Sequence, residues 1–165
     1  MCNFIKICII LFIISDTLIK TNIIIMAAII TNSETENCLR DILIKEGYSL
    51  SKMKTFGQTG TDIIATRNNE ELHIEVIGYK KSPPARAKDF YEVFFRAVSR
   101  LNNKNCKSCI IALPDNFKLG LPQRVKQHEV AWQRIANAFP ELEIWLVDTI
   151  NNRYIKTYWK DWLSK

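Results

Sequence analysis

Residues 61–77 place the tightest constraint on the fold. Thr61 to Thr66 and Leu72 to Ile77 are two short runs of strand-forming residues, with Arg67-Asn68-Asn69-Glu70 between them. Asparagine tolerates left-handed backbone and bonds to its own main chain, so this tetrapeptide reads as a turn joining antiparallel strands. If the loop is the pair Asn68-Asn69, Arg67 faces Glu70 and paired residue numbers sum to 137, as 62 and 75 also do. Asp62 and Glu75 then stand opposite each other on one face, with Cβ atoms roughly 4.5–5.5 Å apart. A loop one residue longer would break that pairing.

Like charges so placed repel and destabilise a hairpin. The neighbours Ile63, Ile64, Ile74 and Val76 suggest dry surroundings, where two carboxylates are costly without compensation. A divalent cation would supply it, and hard oxygen donors suit magnesium or manganese. The alternative is a strand end that reaches solvent, with each carboxylate simply hydrated. On the same face as Glu75 comes Ile77. Gly78 then lets the strand bend and lets another segment approach closely, and Lys80 and Lys81 follow.

The rest of the chain alternates helical and strand patterns. Ser33-Glu34-Thr35-Glu36 has the spacing of a capping box, and Leu39, Ile42 and Leu43 continue at helical spacing to Gly47, which predicts a helix over about 34–46. Glu36 shares the Leu39/Leu43 face and points inward on that reading. Tyr48 to Phe56 reads as a ragged first strand. After Ser82-Pro83-Pro84, a helix is predicted over about 85–102, with Phe90, Phe94, Ala97, Val98 and Leu101 on one face and Arg86, Arg96 and Arg100 on the other. Cys109 to Leu113 and Ile144 to Val147 read as buried strands, joined by one long helix from Arg124 to Phe139. Strand, helix, apolar strand implies a right-handed parallel crossover. Trp159 and Trp162 are expected to pack back on the core.

The charge is uneven. Net charge is +6, yet residues 26–79 hold 5 Lys/Arg against 8 Asp/Glu, while residues 80–104 hold 7 against 2. A basic stretch of this kind suits a polyanion partner, or simply a solvated helix face. Five cysteines (Cys2, Cys8, Cys38, Cys106 and Cys109) follow no disulfide framework, which suggests reduced thiols in a cytoplasmic protein. Cys106-Lys107-Ser108-Cys109 lacks the second pair a zinc site needs. Residues 1–25 stand apart from a single domain over 26–165. The apolar run Ile7 to Ile14 is too short to cross a bilayer, which takes about 20 residues. It leaves three readings open: a dispensable leader with Met26 as the start, an exported or membrane-associated leader, and an ordinary extension.

The order of elements over about residues 33–113 resembles the PD-(D/E)XK, or restriction-endonuclease-like, nuclease superfamily. It runs from a helix with inward Glu36, through a strand, Gly60-Thr61-Asp62-Ile63-Ile64, the hairpin and Ile74-Glu75-Val76-Ile77-Gly78-Tyr79-Lys80, to a basic helix and a strand. The resemblance implies an α/β fold with an αβββαβ core, a mixed central sheet flanked by helices, and a C-terminal helix–strand extension. It further implies Mg2+ or Mn2+ held by Asp62, Glu75 and the Val76 carbonyl with help from Glu36, and metal-assisted phosphodiester hydrolysis. The expected partner is nucleic acid, DNA in the first instance, with a homodimer expected where two strands are cut. The family's lysine position is Ile77 here, so Lys80, Lys81 and Lys88 are the candidates to supply that ammonium. Lys80, Lys81, Arg86, Lys88, Arg96 and Arg100 would follow the phosphate backbone. Loss of the lysine also fits a catalytically inactive nucleic-acid-binding module.

Overall fold

The computed structural model describes residues 29–55 and 57–163; the readings of residues 1–25 lie outside them. The first helix, α1 (Asn32–Lys45), starts earlier than the Ser33 box predicts. Thr31 is the cap: its hydroxyl accepts from Glu34 N–H at 3.1 Å, and Glu34 Oε2 accepts from Thr31 N–H at 2.6 Å. Thr31-Asn32-Ser33-Glu34 has the same hydroxyl-x-x-Glu spacing, so two overlapping boxes competed and the upstream one formed. Glu36 is thereby left inside the first turns, free to pair along the helix.

The expected strand over 48–56 shrinks to β1 (Ser49–Leu50). Beyond it Lys52 and Lys54 bring no apolar face to bury, and the chain leaves the sheet through Gly57 and Gly60, both at positive φ. It returns as β2 (Ile63–Arg67), turns at Asn68 (φ 53°) and Asn69 (φ 64°), and continues as β3 (Glu70–Val76). Two consecutive left-handed residues are the signature of a type I′ hairpin turn, whose twist matches that of the strands. The register follows the predicted sum, with Ile63 opposite Ile74 and Arg67 opposite Glu70.

Helix α2 (Pro83–Ser99) begins on its prolines, which the first turn tolerates because those N–H groups have no partner there. A 3₁₀ turn (Arg100–Asn102) completes the predicted 85–102 span. Strand β4 (Cys106–Pro114) follows, then α3 (Leu121–Gln127), α4 (Glu129–Ala138) and β5 (Leu142–Asp148). The single helix expected over 124–139 is broken at His128, whose φ of −128° and ψ of 32° are not helical. A further strand that the sequence pattern did not reveal, β6 (Arg153–Tyr158), closes the far edge; its mostly exposed residues carry no apolar alternation. A 3₁₀ turn (Trp159–Trp162) then buries Trp159 and Trp162, as expected.

The six strands lie in chain order, β1 to β6. β3–β4 and β4–β5 pair in parallel, and the other neighbours are antiparallel. The protein is therefore α/β, with a six-stranded mixed sheet flanked by helices. Alternate residues of β4 feed two cores. Ile110 and Ala112 join Leu39, Leu43, Ile74 and Val76 under α1. Cys109, Ile111 and Leu113 join Ile77, Phe90, Val93 and Trp132 under the other helices. Gly78 is where the close approach occurs: a Cβ there would meet Ile30 O at 2.2 Å, because the segment entering α1 crosses that point and bridges Tyr79.

Candidate functional site

The hairpin brings Asp62 and Glu75 together just before the start of β2. Asp62 Oδ2 accepts from Val76 N–H at 2.9 Å, so the carboxylate caps the open side of β3 where β2 has not yet begun. Glu75 is fully buried, while Asp62 keeps some contact with solvent. The hydrated strand end considered from sequence does not describe Glu75.

The chain's own cations compensate the pair. Arg96 Nη2 from α2 donates to Asp62 Oδ2 at 2.5 Å and also to Glu75 Oε2. Arg100 Nε donates to Glu75 Oε1 at 2.7 Å, and Lys54 Nζ lies 2.7 Å from Asp62 Oδ1. Arg96 and Arg100, expected on the solvent face of their helix, lie on its flank and reach back to the sheet. Burial alone would push the Asp62 carboxyl up, but Lys54, the Val76 N–H and Arg96 outweigh it and hold Asp62 below the ordinary carboxylate range. Burial, then the charge of Asp62, push Glu75 up, and the two arginines offset only part of this. Burial works against the charge of Arg96, yet Glu75 and Asp62 hold it protonated.

The other predicted residues fall around this pair. Glu36 is held by Arg40 Nε at 2.8 Å, and the same guanidinium donates to Ser51 O and to the main-chain oxygen of Asp62, each at 2.8 Å. Glu36 therefore supports the loop that carries Asp62 from one residue behind it and does not join the carboxylate pair. Among the described residues, no cluster of three or more His, Cys, Asp or Glu is disposed to hold a metal. Ile77 is 3% exposed and packs in the core under α2. Lys80 pairs with Asp89 at 2.9 Å, and Lys81 and Lys88 are exposed; none of the three is brought to the carboxylates. Arg86 donates to Lys80 O and Lys81 O at 2.7 and 2.8 Å and lies over the Tyr79 ring.

Sequence reasoning missed Lys54, the lysine that does reach the site. It sits in a polar loop with no periodicity, and only the closure of residues 51–62 over the strand end places it. His73 was also missed at this location. It is 3% exposed, lies two residues before Glu75 on the same face, and is bracketed by Thr61 Oγ1, Glu71 Oε2 and Asn103 Nδ2 at 3.5, 3.2 and 3.3 Å. Among the described residues the cysteines are disfavoured as thiolates: burial pushes Cys109 up to about 12 and also raises Cys38 and Cys106.

Comparison with known proteins adds no relative: no family model, no curated protein and no solved structure matches the chain. The site must be interpreted from its own chemistry. Asp62 Oδ2 and Glu75 Oε2 both reach one nitrogen, so their oxygens converge on a volume one small cation could share. Ile77 N–H donates to Ala112 O of β4, so the Val76 carbonyl, trans to it in the same peptide, faces the other way, toward the side where Val76 N–H meets Asp62. Two carboxylates and a peptide oxygen are hard donors that fit magnesium or manganese. Arg96 occupies that volume and must turn outward for a cation to enter; its side chain is 31% exposed, so the path outward is open. No described helix is long and apolar enough to cross a membrane.

Proposed function

We propose that this chain is a nuclease-like domain of the restriction-endonuclease-like type. It would hydrolyse phosphodiester bonds in nucleic acid, DNA in the first instance, with Mg2+ or Mn2+ held by Asp62, Glu75 and the Val76 carbonyl. The observation that carries this reading is the convergence of both carboxylates on the single nitrogen of Arg96. A bound divalent ion would supply Lewis-acid polarisation of the phosphodiester and acidification of the attacking water. The chain's own groups then have distinct tasks. Lys54 stays beside Asp62 and provides the ammonium that position 77 lacks, holding a water or phosphate oxygen next to the carboxylate. Arg96 and Arg100, displaced from the pair, are long enough to meet the non-bridging phosphate oxygens. Lys80, Lys81, Arg86 and Lys88, just before and at the start of α2, would extend the basic surface away from the pair, where cations position a backbone without reading sequence.

The test is cleavage of single- and double-stranded DNA and of RNA by the full chain, with and without Mg2+ or Mn2+, beside thermal melts under the same conditions. The expected result is metal-dependent cleavage and metal-dependent stabilisation, both lost in Asp62→Asn/Glu75→Gln. A wild type that neither melts higher with metal nor cuts any substrate would falsify the enzymatic reading.

A second reading is a binding module without catalysis. Two observations favour it: Ile77 is sealed in the core, and three chain cations already compensate the carboxylates. It predicts salt-dependent retention of nucleic acid that survives both carboxylate substitutions.

A further inference from the structure

A second basic site lies near the other end of α2. A pocket of about 240 Å³ opens between the start of α2 and the turn leading into α3. Its lining includes Tyr79, Arg86, Asn116, Gln123, Arg124 and Gln127, and no Asp or Glu. The volume is below the roughly 300 Å³ at which pockets for drug-sized ligands begin, so it fits one small group. Two guanidiniums and three amides make the lining rich in hydrogen-bond donors.

The two arginines are preorganised. Arg86 is fixed by the carbonyls of Lys80 and Lys81 and stacked 4.5 Å from the Tyr79 ring. Arg124 is laid over Phe90 and Tyr91, at 5.0 and 5.1 Å from their centroids. Among the described residues, no carboxylate pairs with either, whereas Arg96 and Arg100 are both paired. Both are half-buried. Charge that is partly desolvated and uncompensated favours an anion, and planar guanidiniums match the tetrahedral oxygens of phosphate.

We propose that this pocket binds a phosphate group of the same nucleic-acid strand that engages Asp62 and Glu75, an inference that rests on the reading above. Arg86 and Arg96 are ten residues apart on α2, about 15 Å along the helix axis. At the roughly 3.4 Å axial rise of a B-form strand that is about four steps, and an extended single strand covers it in fewer. The site therefore sets a minimum length. A strand of two nucleotides reaches only the carboxylate end, and one of about six spans both.

Calorimetric titration of the full chain with thymidine oligonucleotides of two, four, six and eight nucleotides, at low salt with Ca2+ to bridge the carboxylates to phosphate in place of Mg2+, tests this. For wild type the affinity should rise about tenfold between the dimer and the hexamer. Arg124→Gln should remove that rise, lower the salt slope by about one, and leave dimer binding unchanged. Gln127→Glu, at an exposed position that tolerates a carboxylate without unfolding, should weaken the hexamer and octamer in the same way. If wild type shows the length dependence and both variants match it, the pocket holds no phosphate, and the carboxylate-site reading stands unharmed. If wild type binds no oligonucleotide, the nucleic-acid reading fails first. Thermal stabilisation by inorganic phosphate then decides the pocket: an Arg124-dependent shift supports a site for a free phosphate, and no shift overturns the inference.

Discussion

Helix α2 covers two different interiors. Toward β4 and β5 it buries Phe90, Val93 and Ala97 in an aromatic cluster. There Trp132 and Trp159 stack at 3.9 Å, and each indole N–H donates to the other's main-chain carbonyl, at 2.9 and 3.1 Å. Toward β2 and β3 the same helix places Arg96, and the turn that follows it Arg100, over Asp62 and Glu75. Both interiors satisfy their polar groups, but their energetics differ. Burying a large apolar side chain contributes about 1.5–3 kcal/mol. A buried ion cluster roughly breaks even, because desolvation offsets attraction, and apolar residues of similar volume often do better. The aromatic side is explained by stability alone. The ionic side is not, and that difference directs the search for function to Asp62 and Glu75.

The sharpest way to break this contrast is to remove the carboxylates and follow cleavage. Asp62→Ala or Glu75→Ala should cost about 10³-fold or more in metal-dependent hydrolysis. That corresponds to the several kcal/mol a metal supplies, at about 1.4 kcal/mol per decade. If initial rates in Mg2+ are unchanged, the ionic side is not catalytic. The matching change on the other side is Trp132→Ala, expected to cost about 3–5 kcal/mol in urea unfolding while leaving the metal response intact. A loss below 1 kcal/mol would mean that the stacked pair contributes little.

Arg96→Met sharpens the comparison further. In chelator it leaves Asp62 with Lys54, and Glu75 with Arg100. Because Arg96 is 31% exposed, solvent screening limits the loss to about 1–3 kcal/mol. Magnesium at a hundred times Kd should stabilise this variant by about 2.7 kcal/mol and wild type by less, since no guanidinium competes for the volume in the variant. Equal metal responses in the two proteins would show that Arg96 does not occupy the cation's place.

The smallest effect is in the pH dependence. The depressed folded pKa of Asp62 contributes stability that is present above the unfolded value of about 4 and lost as pH falls through the folded value. The raised pKa of Glu75 has the opposite sign. Its contribution is full below about 4.3 and is lost as pH rises through the higher folded value. Asp62→Asn should therefore flatten the acid limb of a stability–pH curve, and Glu75→Gln should flatten the limb just above pH 4.3. A curve unaltered by either substitution would place the titration elsewhere.

Local rules written in the chain were enough for the hairpin and much of the frame. Asn68-Asn69 can adopt the left-handed turn that sets the register, and the register alone places Asp62 beside Glu75. The runs in β4 and β5 and the face of α2 were legible because apolar periodicity survives without knowledge of partners. Other features were not local. Thr31 and Ser33 offer the same local box, and only in the folded chain is the residue before Thr31 bridged to Tyr79. β6 carries no alternation and exists because β5 offers an edge to pair with. The compensation of the carboxylates was the largest gap. Arg96, Arg100 and Lys54 are 21 and 34, 25, and 8 residues from their partners along the chain. A charge at that separation finds its partner only when helix and loop have packed on the sheet. The sequence determined that two carboxylates would meet; the tertiary structure decided which cations would face them.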